Sequence, residues 1–196
     1  MHGVAKALEL LKSVDLGIFV EYSVINDMQP ELHPDHKVGL TAWVGEAPQV
    51  LILGTLAGDT SITVRAFYDD NRNAFWRIMH EVLPNEPGAS FSSRKEYITS
   101  KGIALWDCLE SAVRKGSSDS GFVRGTEKPN DIQGFLEAYP SIHTIILNGT
   151  STTRKLFNKF CPIRQNVRVV PLPSTVSMVA FNKRVEAWRV LRDILK

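Results

Sequence analysis

Four short apolar runs constrain this chain more than any other feature. They lie at residues 50–53, 103–106, 144–147 and 167–170, and each ends in a turn and leads toward a helix-like stretch. Continuous runs this short read as strands buried on both faces, the habit of parallel sheets. Parallel strands need long crossovers, and the intervening segments supply them. The spacing predicts a helix over 71–83, capped by Asn71, with Phe75, Met79, Val82 and Leu83 on one face. Further helices are expected over 92–100, 129–139 and 152–160. A closing helix carries Val185, Trp188, Leu191 and Ile194 on one side. The fold class that follows is α/β, a three-layer αβα sandwich around a central four-stranded parallel sheet. Residues 41–196 are expected to form one domain. Residues 1–40 read as an N-terminal extension packed on it, with no function assigned.

Such a topology brings the C-terminal ends of all four strands to one edge of the sheet, where ligands bind. The segments expected to meet there are 54–59, 107–116, 148–150 and 171–175. Between the first strand and its helix, residues 59–70 read as a polar loop holding Phe67 and Tyr68.

At 196 residues the chain is long enough for a full core. No apolar run reaches membrane-spanning length and no signal peptide opens the sequence, so no membrane partner is expected. Cys108 and Cys161 read as buried free thiols, in keeping with a reducing cytoplasm. His33 and His36, in a proline-containing loop, read as solvated rather than as metal ligands, and no metal or cofactor is implied.

The net charge is +2, but it is unevenly spread. Residues 1–50 carry three Lys/Arg and seven Asp/Glu, residues 51–150 ten and twelve, and residues 151–196 ten and two. The basic last third has two readings, a polyanion-binding face or a solvated helix face. No G-x-S-x-G elbow, Walker loop or complete dinucleotide fingerprint is present. Asp59 and Asp107 stand at strand ends, where each is either a functional carboxylate or an acceptor for loop amides. What remains is a crevice rich in amides, small residues and aromatic rings. That inventory suits a nucleobase, which rings stack upon and amides read at its edge.

The order of motifs resembles the uracil-DNA glycosylase superfamily and, within it, the hypoxanthine-DNA glycosylase branch, often called family six. The residues that carry the likeness are Leu51-Ile52-Leu53-Gly54-Thr55, then Phe67-Tyr68 through Arg72-Asn73-Ala74-Phe75-Trp76. Next come Gly102 to Asp107, Arg114 to Ser120, Leu147-Asn148-Gly149, and Leu172-Pro173-Ser174-Thr175. All six fall in one register and one order. The resemblance implies a monofunctional DNA glycosylase that hydrolyses the N-glycosidic bond of a flipped deaminated base in double-stranded DNA. Hypoxanthine is favoured and uracil is the other candidate. It further implies a DNA-repair role, a cytoplasmic, nucleoid-associated location and a monomer. The competing reading is a non-catalytic DNA- or nucleotide-binding module that retains the pocket.

Many superfamily members place Asp or Asn in the first loop to position the attacking water. This chain has Leu56 near that place, so the resemblance assigns the catalytic role to Asn73, whose other reading is a helix cap. It assigns base contacts to Leu56, Ala57 and Gly58 through backbone N–H groups, to Tyr68, to Phe75 as the stacking ring, and to Asn148. Core packing for Phe75, loop packing for Tyr68 and turn formation for Asn148 stay open beside these. DNA contacts are expected from Pro173, Ser174, Thr175, Ser117, Arg154 and Lys155, with Met178 as an apolar wedge. The chain departs from the branch pattern at Ala57, at Val176 and at Asp69-Asp70-Asn71, where acidic residues stand close to a DNA site.

Overall fold

A computed structural model describes residues 33–83, 93–163 and 166–196. The part of the expected extension that covers residues 1–32 lies outside the described residues. So does the chain break expected over 84–88.

The expected strands form the central sheet: β2 (Val50–Gly54), β3 (Ile103–Asp107), β6 (Thr144–Asn148) and β7 (Arg168–Leu172). Their order is β3-β2-β6-β7 and every pairing is parallel. Alternation along β2 divides the core in two. Val50 and Ile52 face the layer of α2 (Phe75–Val82), α3 (Arg94–Ser100), α6 (Phe181–Trp188) and α7 (Val190–Ile194). Leu51 and Leu53 face the layer holding α4 (Ile132–Ala138) and α5 (Thr152–Phe160). Burial on both faces of β2, β3 and β6 is why those strands carry no polar alternation.

The structure departs from expectation in three places. Residues 107–116 are not one loop, because β4 (Leu109–Val113) runs through them. It pairs antiparallel with β1 (His36–Val38) and β5 (Lys128–Pro129) in a second, three-stranded sheet. The segment 59–70 contains a short helix, α1 (Asp59–Val64), closed by Arg65 in the left-handed region at φ 54°. Asn71 does not cap α2. The N-cap position is Ala74, and the first free N–H group of the helix, that of Phe75, donates to Oδ1 of Asn73 at 3.0 Å.

Candidate active site

The segments after β2, β6 and β7 meet as expected, together with residues 117–119 and the α1–α2 connection. They enclose a cavity of about 800 Å³ lined by Gly54 to Asp59, Tyr68, Asp70, Arg72, Asn73, Asp107, Ser117 to Asp119, Asn148, Thr153 and Ser174 to Val176.

Asn73 is half-buried on this wall. Its backbone N–H donates to Asp70 O at 2.8 Å, and its Oδ1 accepts from Phe75 at 3.0 Å. The capping bond and the cavity position therefore coexist. An amide oxygen has two lone pairs, so one Oδ1 lone pair and both Nδ2 hydrogens are left over from the cap.

Phe75 was expected to stack on a ligand, and the structure corrects this. Its ring is fully buried, edge-on to Trp76 at 5.0 Å and to Trp188 at 6.0 Å. Tyr68 lies over it at 4.0 Å and 22°, so the flat face presented to the cavity belongs to Tyr68. Tyr68 adopts φ 58°, a left-handed conformation costly for a bulky residue. Its hydroxyl is buried beside Asn148 and Asp107 with no hydrogen bond among the described residues, and burial pushes its pKa well up.

Asn148 was expected to read a base edge; each end of its amide makes one bond to Thr175, which leaves one Oδ1 lone pair and one Nδ2 hydrogen. Nδ2 donates to Thr175 Oγ1 at 3.0 Å and Oδ1 accepts Thr175 N–H at 2.9 Å. Thr175 is completely buried. Its carbonyl accepts from Ala74 N–H at 3.1 Å and from the guanidinium of buried Arg184. Thr175 is thus a knot joining the β6 and β7 loops to the start of α2 and to α6, rather than a surface hydroxyl. Pro173 joins the same frame, its carbonyl accepting from Trp188 Nε1 at 2.9 Å. Ser174 lines the cavity, and beyond it Val176, Met178 and Val179 are exposed, Met178 completely so.

In the first loop the carbonyls are engaged, and of the three N–H groups that of Ala57 has a partner. Leu56 and Ala57 are buried, and their carbonyls accept from the fully buried Arg114 guanidinium, at 2.7 Å for Leu56. The Ala57 N–H is taken by the Asp107 carboxyl. Gly58 caps α1 and lies against Ser117, whose Oγ accepts Asp59 N–H at 2.9 Å. Asp59 is held in an ion pair with Lys37, which keeps its carboxyl below the usual range. Arg154 and Lys155 are exposed on α5, the helix that leaves this edge of the sheet.

Four acidic groups behave in ways their sequence positions did not disclose. Asp69 pairs with Arg94 and Asp70 with Arg72, which neutralises the acid run at the cavity mouth. The Arg72 pairing holds Asp70 at a pKa of about 2. Asp119 accepts from Thr55 Oγ1 at 2.7 Å and is raised by burial. Asp107 lies 3 % exposed at the end of β3, pushed up to about 7 by burial, and its Oδ2 has no partner among the described residues. Its place after an apolar run was visible in sequence, whereas its burial and missing partner were not. Cys108 and Cys161 are free and buried, and His33 Nδ1 accepts the Asp35 N–H at 3.0 Å.

No family model matches the chain. Among curated proteins it is similar to a hypoxanthine DNA glycosylase of Methanosarcina acetivorans, with 33% identity over 114 residues, spanning 58% of this chain and 71% of that protein. A hypoxanthine DNA glycosylase of Methanosarcina barkeri is 27% identical over the same spans. Among solved structures, a solution NMR structure from M. acetivorans, assigned provisionally as a uracil DNA glycosylase, superposes with a TM-score of 0.64 at 27% identity. The match covers 82% of this chain and 98% of the other. The motif order, the four-stranded parallel sheet and these relatives agree: the chain belongs to the uracil-DNA glycosylase superfamily, in its hypoxanthine DNA glycosylase branch.

Proposed function

We propose that this protein is a monofunctional DNA glycosylase that hydrolyses the N-glycosidic bond of a deaminated base flipped out of double-stranded DNA, with hypoxanthine as the preferred base. Uracil is the second substrate to test. The observation that carries the reading is Asn73, whose amide lines the cavity while one lone pair of its Oδ1 is fixed by the Phe75 N–H. Cleavage builds positive charge at the sugar carbon and negative charge on the departing base. A water must therefore be held in line with the breaking bond. The remaining lone pair of Oδ1 accepts a hydrogen from that water and aims its oxygen. The rigid cap removes the rotamer freedom that would otherwise blur the aim.

Tyr68 supplies the flat surface for the base, and Leu56 to Gly58 shape the far wall through their backbone. Pro173, Ser174 and Thr175 form a braced loop, with Ser174 and Ser117 facing the phosphate path and exposed Met178 filling the gap left by the flipped base. Arg154 and Lys155 add attraction for the backbone. The protein works as a monomer on nucleoid DNA in a reducing cytoplasm, consistent with two free thiols. Single-turnover assays on duplexes bearing deoxyinosine or deoxyuridine test the reading. Wild type releases hypoxanthine, whereas Asn73→Ala loses at least a hundredfold in rate with less than a threefold change in DNA affinity. Intact DNA binding with no base release by wild type at high enzyme excess overturns the catalytic reading in favour of a binding module.

A further inference from the structure

Four carboxyl groups line the cavity, and three are committed: Asp59 to Lys37, Asp70 to Arg72 and Asp119 to Thr55. Among the described residues Asp107 is the exception. One of its oxygens takes the Ala57 N–H, while Oδ2 is buried with no partner. A second orphan lies beside it. A Cβ added at Gly54 would overlap Asp107 Oδ1 and stand 3.3 Å from the Tyr68 hydroxyl, which also lacks a partner. Two unsatisfied buried polar groups converging on one cavity floor indicate a polar ligand edge that completes them.

The reaction adds a requirement that Asn73 does not meet. A purine departs with the electron pair of the C1′–N9 bond, and protonation at N7 turns that anion into a neutral leaving group. Resting on the functional reading above, we propose that Asp107 in its protonated form is the general acid that protonates N7 of the departing hypoxanthine. The C1′–N9 bond breaks with its pair passing to N9, and the Asp107 proton passes to N7. The C1′–O bond forms from the water held by Asn73, whose proton leaves to solvent, and Asp107 regains a proton from solvent before the next turnover. The environment keeps a large share of this carboxyl protonated near neutral pH. Burial raises it most, Asp119 raises it further, and the Arg114 guanidinium opposes both, giving a pKa of about 7. The other titratable groups that feel its charge are the Tyr68 phenol and the Cys108 thiol, both pushed upward. A general acid works best with a pKa near the operating pH.

The test compares deoxyinosine with its 7-deaza analogue, which has no N7 lone pair, in single-turnover reactions. Asp107→Asn keeps an oxygen for the Ala57 N–H. It is expected to release hypoxanthine about a hundredfold more slowly than wild type. Wild type on the 7-deaza duplex is expected to show a similar loss, and the two losses are not expected to add. The wild-type rate on deoxyinosine falls tenfold per pH unit above about 7. That limb disappears in Asp107→Asn and survives in Asp119→Asn. A threefold or smaller effect of Asp107→Asn, equal rates on the two bases, or a limb that persists in Asp107→Asn overturns the acid while leaving the glycosylase standing. No hypoxanthine release by wild type at any pH overturns the glycosylase and the acid together. Should Asp107→Asn fail to fold, the wild-type comparison of the two bases and the wild-type pH limb decide alone.

Discussion

Replacing Asn148 with alanine separates a bracing role from a base-reading one. The substitution removes two hydrogen bonds to Thr175, at 3.0 and 2.9 Å, inside a region where both residues are buried. The Thr175 hydroxyl loses the Asn148 donor but can rotate, whereas its N–H is fixed by the chain and loses its only described partner. A typical net hydrogen bond contributes about 1 kcal/mol, and a buried donor left unmet costs about 1–3 kcal/mol. The expected destabilisation is therefore about 2–4 kcal/mol. For a domain of this size that lowers Tm by about 5–15 °C, at roughly 2–4 °C per kcal/mol. The assay is thermal unfolding followed by circular dichroism, alongside single-turnover cleavage below the variant's Tm. Bracing predicts a large drop in Tm, with cleavage lost in proportion as the loop over Ser174 loosens. A Tm within 2 °C of wild type combined with abolished cleavage would refute the bracing argument and return Asn148 to the base edge.

Gly54→Ala places a methyl group against Asp107 and Tyr68. Overpacking of this kind costs about 1–3 kcal/mol. Lower Tm and slower base release are expected together, and an unchanged value of either contradicts the packing described for the cavity floor. Asp107 also predicts a pH dependence of stability. The folded chain holds its proton more tightly than the unfolded chain, so its contribution is full below the ordinary value of 3.8. It is lost as pH rises through about 7. At about 1.4 kcal/mol per tenfold in proton affinity, the loss is at most about 4 kcal/mol. Denaturant unfolding at pH 5 and pH 8 is expected to show this decline in wild type and to lose it in Asp107→Asn. Arg154→Gln with Lys155→Gln is expected to leave Tm within about 1 °C and to reduce the salt slope of DNA binding by about 2. Arg184→Gln is expected to lower Tm instead, because its guanidinium is buried on Thr175. Titrations at several salt concentrations and melting curves distinguish the two pairs of outcomes.

The central sheet was legible because a parallel strand buried on both faces leaves a continuous apolar run, as in Val50 to Leu53. The small sheet was not. Its strands are short pieces of two to five residues, and Leu109–Val113 mixes Leu, Glu, Ser, Ala and Val without a clean period. The helix α1 was missed for a related reason. Its Thr, Ile and Val are poor helix formers, and contacts distant in sequence hold it, from Lys37 and Ser117. In the site, Asn73 and Tyr68 line the cavity. Phe75 could not be separated from its neighbours, since a ring on a helix's apolar face and a ring in a pocket look alike in sequence. The reciprocal bonding of Asn148 and Thr175 spans 27 residues and exists only once β6 and β7 are paired.

These contacts divide the cavity into a frame and a working floor. The frame is densely bonded: Thr175 with Asn148, Ala74 and Arg184, and Arg114 with the Leu56 and Ala57 carbonyls. Such buried networks are rigid, because every alternative arrangement gives up bonds inside a low-dielectric interior. The floor is different. Tyr68 Oη and Asp107 Oδ2 are buried without partners, at a cost of roughly 1–3 kcal/mol for each group. Buried unsatisfied groups persist where the surrounding structure over-determines them. A base that supplies the missing partners recovers part of that cost on entry, while one of the wrong shape leaves it in place. On the reading proposed here, discrimination comes from the floor and precision from the frame, with selectivity in Asp107 and Tyr68 and the aim of the water in Asn73.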